Sequence, residues 1–259
     1  MAFRPANIAA HTMKFNSAAS GEFIYAYEAI IDKEITAAAS RPKHQSFAPS
    51  QMRCDRISWF RLRGVQPDTI NEPDRTLDFS AKVGTACHQF IQERLANSSE
   101  FEWLDVDRWL DSHGCLTDFS VERNGYEQQI DVRKPYPIRF ACDGLIKFNG
   151  QTYLLEIKTS EFSSFQDLIE PKPKHMDQIK CYATLLDISN VLVLYVDRTY
   201  GGMKCFEIVI TDADKQEVLN KMQHVMDCVD SFIAPEKLPK GDPDCNPNMC
   251  PYYKKCHEW

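Results

Sequence analysis

No stretch of this 259-residue chain is apolar for long enough to span a bilayer. Its start, MAFRPANIAAHTMKF, lacks the apolar core of a signal peptide, so a cytoplasmic protein without a membrane partner is expected. A glycine-rich phosphate loop is missing too, which argues against an ATP-driven motor. Nor is there an excess of basic charge. The formal net charge of −7 argues against a protein that coats DNA generally. It leaves room for an acidic centre served by local basic clusters. Such clusters stand at Arg53, Arg56, Arg61 and Arg63, at Lys172, Lys174, His175 and Lys180, and at Lys254 and Lys255.

Cysteine, by contrast, is plentiful, with ten in the chain. In a reducing compartment these are not read as a disulfide framework. Cys87, Cys115, Cys142, Cys181, Cys205 and Cys228 are scattered singly and pass for small buried hydrophobes. Cys245, Cys250 and Cys256 crowd into the tail DPDCNPNMCPYYKKCHEW, which is too rich in Pro, Asn and charge to bury a core. Three thiolates are the obvious means of holding it. They leave a tetrahedral or cubane site one ligand short.

The chain is organised around Ile138 to Thr159, IRFACDGLIKFNGQTYLLEIKT. Asn149-Gly150 is a strong signal for a two-residue hairpin turn. With that loop, Phe148 pairs with Gln151, and counting back places Asp143 opposite Glu156. Alternation puts Lys158 on their face. Phe140, Cys142, Ile146, Phe148, Tyr153, Leu155 and Ile157 fall on the other, as a core-facing stripe. Like charges opposed across a ladder are destabilising, and a cation between them removes the repulsion. Two carboxylates with water and phosphate oxygens suit Mg²⁺ in phosphoryl transfer, with Lys158 to offset charge or help deprotonate a water. The plainer alternative is a solvated face carrying a Glu/Lys pair.

Asp143-Gly144, a short hairpin and Glu156-Ile157-Lys158-Thr159 resemble the core motif of the PD-(D/E)XK nuclease superfamily, with Cys142 where the formal motif has Pro. Two further features resemble its RecB-like branch. One is the helix with Gly84-Thr85, His88 and Leu95. The other is Gln178-x-x-x-Tyr182, on a helix expected at His175–Asp187. The resemblance implies an α/β (α+β) fold with a restriction-endonuclease-like core, a mixed central sheet flanked by helices. It implies Mg²⁺ or Mn²⁺ held by His88, Asp143, Glu156 and the Ile157 carbonyl, with Lys158 catalytic and Gln178 and Tyr182 on the DNA. Glu93, and either Glu122 or Glu127, are weaker additions.

The family also supplies a fourth thiol. In CRISPR-associated RecB-like exonucleases of the Cas-four type, one upstream Cys and three C-terminal ones bind a 4Fe–4S cluster. By that likeness Cys54 joins Cys245, Cys250 and Cys256 and clips the two ends of the chain. Zn²⁺ on four thiolates, or on three with His257, is the rival occupant. Two disulfides are a third reading.

The remaining chain divides as a helical N-terminal extension (1–46), a cluster-linked helix and loop (47–79), the nuclease core (80–235) and the cysteine tail (236–259). In the extension, Phe23, Ile24, Tyr27, Ile30 and Ile31 at helical spacing suggest a packing helix, with a partner-binding arm as the alternative. Ser50 to Gly64 reads as a capped helix, Gly64 to Phe79 as a loop. In QMRCDRISWFRLR, interleaved Arg and aromatic residues suit single-stranded DNA, while Ile57, Phe60 and Leu62 suit a core. A short helix is expected near Trp103–Leu110 and one strand within Phe119–Asp131. The expected function is a metal-dependent exonuclease acting on single-stranded DNA ends. Its setting would be recombination, repair, phage replication or CRISPR adaptation, with a protein partner from one of these. A non-catalytic adaptor and an endonuclease are the alternatives.

Overall fold

The computed structural model describes residues 17–41, 43–68, 73–114, 116–239, 241–247 and 250–258. Cys115 and the N-terminal stretch MAFRPANIAAHTMKF lie outside them. The chain divides into two compact units: 1–41 with 70–78, and 42–69 with 79–259.

The smaller unit holds α1 (Ser17–Ala39). Arg75 clamps it, with Nε and NH2 each 2.7 Å from the Asp32 carboxylate and NH1 2.8 Å from Glu28. The helix forms as expected, and Phe23, Ile24, Tyr25, Tyr27 and Ile30 are exposed on it.

In the larger unit, a 3-10 turn (Pro49–Gln51) precedes α2 (Asp55–Leu62). The single helix expected from Ser50 is therefore broken, and Cys54 is the N-cap of α2 rather than a residue on its first turns. The next helix, α3 (Arg75–Ala96), starts inside the stretch read as a loop. Then come β1 (Glu102–Leu104) and α4 (Val106–His113), so Trp103 lies in a strand. The one strand expected within Phe119–Asp131 is a hairpin, β2 (Asp118–Asn124) and β3 (Glu127–Lys134), turning where Gly125 takes φ +64°.

The predicted Ile138–Thr159 hairpin is real only in part. Asn149 and Gly150, with φ of +49° and +79°, turn β5 (Gly144–Phe148) into β6 (Gln151–Ser160). Their register is the expected one, from Phe148 opposite Gln151 to Gly144 opposite Leu155. Before Gly144 the chain bends. The residues ahead of the bend form β4 (Ile138–Cys142), which pairs with β3 in a separate sheet ordered β2-β3-β4. Gly144 permits this, since a Cβ there would sit 2.5 Å from the Trp103 ring. The expected apolar stripe is accordingly divided: Phe140 and Cys142 pack in one cluster, Leu155 and Ile157 in another.

A crossover through α5 (Phe162–Gln166) and α6 (Pro173–Leu185) brings in β7 (Asn190–Asp197), parallel to β6. After β8 (Met203–Val209) and α7 (Asp212–Asp230), the central sheet reads β1-β5-β6-β7-β8. Both faces are covered. Ile91, with Cys87 and Leu95 of α3, packs on Leu155, Ile157 and Val196. Ile179 and Ala183 of α6 and Met222 and Val225 of α7 join the cluster that holds Leu145, Leu154 and Val193. The fold is α/β, a mixed sheet between helices. Among the described residues no helix is long and apolar enough to cross a membrane.

The tail was expected to be too polar to bury a core, and two of its residues nevertheless join the main one. Tyr252 is 1% exposed and stacks on Phe60 of α2, centroids 5.1 Å apart, and Cys256 of α8 (Tyr253–Glu258) is buried.

Candidate active site

The bend at Asp143 builds the site. With β4 gone to the other sheet, the N–H of Ile157 has no strand to receive it, and Asp143 Oδ2 accepts it at 2.6 Å. Asp143 Oδ1 lies 2.9 Å from His88 Nδ1 on α3. One turn further along α3, Gln92 donates to the Asp143 carbonyl at 2.7 Å and is 2% exposed. The helix thus grips Asp143 by side chain and main chain together. Gln92 gave no chemical signal in the sequence, and only its spacing of four from His88 places both on one helix side.

Glu156 and Lys158 project from the same face of β6, toward α6. Lys158 Nζ lies 2.5 Å from Glu156 Oε1 and donates to Gln178 Oε1 at 2.9 Å. Gln178 Nε2 in turn donates to Tyr182 Oη at 2.8 Å. The predicted Glu-x-Lys and Gln-x-x-x-Tyr sets therefore meet as one hydrogen-bonded chain, next to the Asp143–His88 pair. Glu93 is exposed, and no contact of it with these groups is among those described. Glu122 faces Arg139 at 3.7 Å in the smaller sheet, and no contact of Glu122 or Glu127 with the site is among those described.

Burial and the Asp143 charge push the Glu156 carboxyl up to about 7, against the opposing pull of Lys158 and His88. Burial draws His88 down, but its bond to Asp143 and the two carboxylate charges outweigh this and raise it. Tyr182 is raised well above the usual phenol range, first by burial and then by the Glu156 charge.

Two carboxylates beside an imidazole are a donor set for a hard divalent cation. Glu156 Oε2 is buried and, among the described residues, has no hydrogen-bond partner, the kind of orphan a cation satisfies. As the side chains stand, Asp143 is committed to His88 and Ile157. Among the described residues, no three His, Cys, Asp or Glu side chains surround a common metal position.

Elsewhere in the larger unit, Cys54, Cys245, Cys250 and Cys256 line one recess, with His257 and Arg56 on its wall. Burial raises the Cys250 thiol to about 11, and Cys54, Cys256 and Cys245 are near enough to push it the same way. Burial also raises Cys54, while the N–H groups of Ile57 and Arg56 at the start of α2 partly offset the rise. All four cysteines remain free thiols.

The Arg-aromatic helix does not offer stacking platforms. Trp59 and Phe60 are each 1% exposed and belong to the core. Its arginines are engaged as well. Arg53 pairs with Asp242 and Asp244, Arg56 donates to Pro235 and Cys256 carbonyls, Arg61 donates to the Ser46 carbonyl, and Arg63 lies over Trp59 and Phe232. Of the scattered cysteines, Cys142 and Cys181 are buried as expected, but Cys205 is exposed.

No protein-family model matches the chain. A curated relative, an ATP-dependent helicase/nuclease subunit of Lactococcus lactis subsp. lactis (strain IL1403), is 24% identical over 161 residues. The match covers 47% of this chain and 13% of that protein. Among solved structures, SSO0001 aligns with a TM-score of 0.43 and 18% identity, covering 83% of this chain and 98% of the other. The alkaline exonuclease LHK-Exo from Laribacter hongkongensis aligns at 0.46 and 16%, over 77% of this chain and 93% of that one. The same enzyme in complex with dAMP gives 0.46 and 17% over the same shares.

Proposed function

We propose that the chain is a metal-dependent deoxyribonuclease, an exonuclease hydrolysing phosphodiester bonds from single-stranded DNA ends. The observation that carries the reading is the buried Glu156, whose Oε2 is unsatisfied and whose Oε1 is held by Lys158, beside the Asp143–His88 pair. A buried carboxylate oxygen with no partner for its lone pairs is costly unless it serves chemistry. The distant relative named for a helicase/nuclease, at 24% identity, is in keeping with it.

Asp143, Glu156, His88 and the Ile157 carbonyl would hold Mg²⁺ or Mn²⁺. Bound there, the ion would offset charge on the scissile phosphate. Lys158 bridges Glu156 and Gln178, so its ammonium is fixed where it can orient the attacking water and meet developing negative charge. Gln178 and Tyr182 position the strand. His88 keeps Asp143 aimed. Cys54, Cys245, Cys250 and Cys256 would hold a 4Fe–4S cluster, or Zn²⁺, that ties the start of α2 to the tail and acts structurally. Recombination, repair, phage replication or CRISPR adaptation would supply the DNA and a protein partner.

The test is digestion of end-labelled linear and circular single-stranded DNA with Mn²⁺. Loss of the linear substrate with the circle intact is the expected result. Cutting of the circle would convert the assignment to an endonuclease, and no cutting of either would leave a DNA-binding adaptor.

A further inference from the structure

Beside Lys158 stands a histidine whose wiring none of the above uses. Tyr195 of β7 is 1% exposed, and its hydroxyl accepts the Lys172 N–H at 3.0 Å. The same oxygen lies 2.7 Å from His175 Nδ1, in the first turn of α6. A phenol has one proton to give, and His175 Nδ1 stands within reach to take it. When it does, the proton of the neutral ring sits on Nε2. Burial, followed by the charges of Lys158, Lys174 and Lys172, holds the imidazole down to about 3, so it stays uncharged at working pH. Among the described residues, Tyr195 touches the ring and Lys158, Lys174 and Lys172 are the charges felt there. His175 is only half-buried, and no partner of Nε2 is among the described contacts. A neutral donor near three ammonium groups is suited to an anion, since it donates without having to take up a further proton.

We propose that His175 is a further substrate-contacting residue, its Nε2–H donating to a phosphate oxygen of the bound DNA strand beside Lys158. Tyr195 is its positioning residue, holding the tautomer through Nδ1. This rests on the nuclease reading of the neighbouring carboxylates and adds a contact to that site.

Two measurements on the full chain test it. In ¹⁵N-histidine spectra of the wild type, His175 should be the Nε2–H tautomer and neutral from pH 5 to 8, and its Nε2 signal should shift on adding phosphorothioate oligo(dT). An Nδ1–H tautomer, or an Nε2 signal indifferent to the oligonucleotide, overturns the proposal. In cleavage assays, His175→Leu should lower kcat/KM by about ten- to a hundred-fold, the range for losing a hydrogen bond to a charged group. His175→Gln, which keeps an amide donor near the Nε2 position, should recover most of that loss. Equal activity in all three proteins also overturns it. If the wild type cuts no DNA yet the Nε2 signal responds, the nuclease reading fails and the anion contact stands.

Discussion

Asp143 and Ile157 are joined by a side-chain-to-main-chain bond in the place where a strand would run. The carboxylate accepts the Ile157 N–H at 2.6 Å because β4 has left the sheet one residue earlier. Asp143 thus does two jobs at once, ending a ladder and facing Glu156. Asp143→Asn keeps an acceptor for Ile157 and removes the charge. It should leave melting nearly unchanged and cut metal-dependent cleavage by at least about a hundred-fold, the scale for losing one charge-stabilising group. Cleavage rates beside a thermal melt check this.

Glu156 gives a pH dependence with a definite sign. Its carboxyl is raised in the folded chain to about 7 from the ordinary 4.5, first by burial. The folded state therefore holds the proton more tightly than the unfolded one. Without a divalent cation, stability should fall as pH rises from about 4.5 to about 7 and then level off. Glu156→Gln should flatten that slope, and Mn²⁺ should oppose it in the wild type alone. Urea denaturation at a series of pH values, with and without Mn²⁺, measures each.

Gly144 and Trp103 offer a packing test. A methyl group at 144 would meet the indole at 2.5 Å, so Gly144→Ala should cost about 1–3 kcal/mol of stability, the range for overpacking. Gln92→Leu leaves the Asp143 carbonyl without its donor and should cost a similar amount, about 1–3 kcal/mol. Chemical denaturation would read both.

The thiol recess predicts a colour. Protein purified without oxygen should absorb broadly near roughly 400 nm if iron and sulfide fill the recess. Cys54→Ser or Cys250→Ser should abolish that band and lower the melting temperature. A colourless protein carrying one Zn²⁺ would transfer the site to zinc, and a metal-free protein with unchanged stability would remove the cofactor from the account.

Much of the site is legible in the sequence alone. Asn149-Gly150 set the β5–β6 register, and that register carried Glu156 and Lys158 to one face. Helical spacing carried Gln178 and Tyr182 together. What escaped depends on distant partners. Nothing local to Asp143 tells that β4 changes sheet, because the reason includes the packing of Gly144 on Trp103, forty-one residues before Gly144. The arginines around α2 looked available for DNA because their acceptors, Asp242, Pro235 and Ser46, lie in other segments. The β2–β3 turn is a different case. Asn124-Gly125 bears the same turn signal as Asn149-Gly150, but the alternating apolar pair of β2, Phe119 and Val121, stops three residues short of it.

The central claim is that Asp143 and Glu156 together hold a divalent ion. Titration calorimetry of Mn²⁺ into the wild type and into the Asp143→Asn/Glu156→Gln double variant tests it most directly. One Mn²⁺ site present in the wild type and lost in the double variant is the predicted result. Identical binding in both proteins, or none in the wild type, would contradict it.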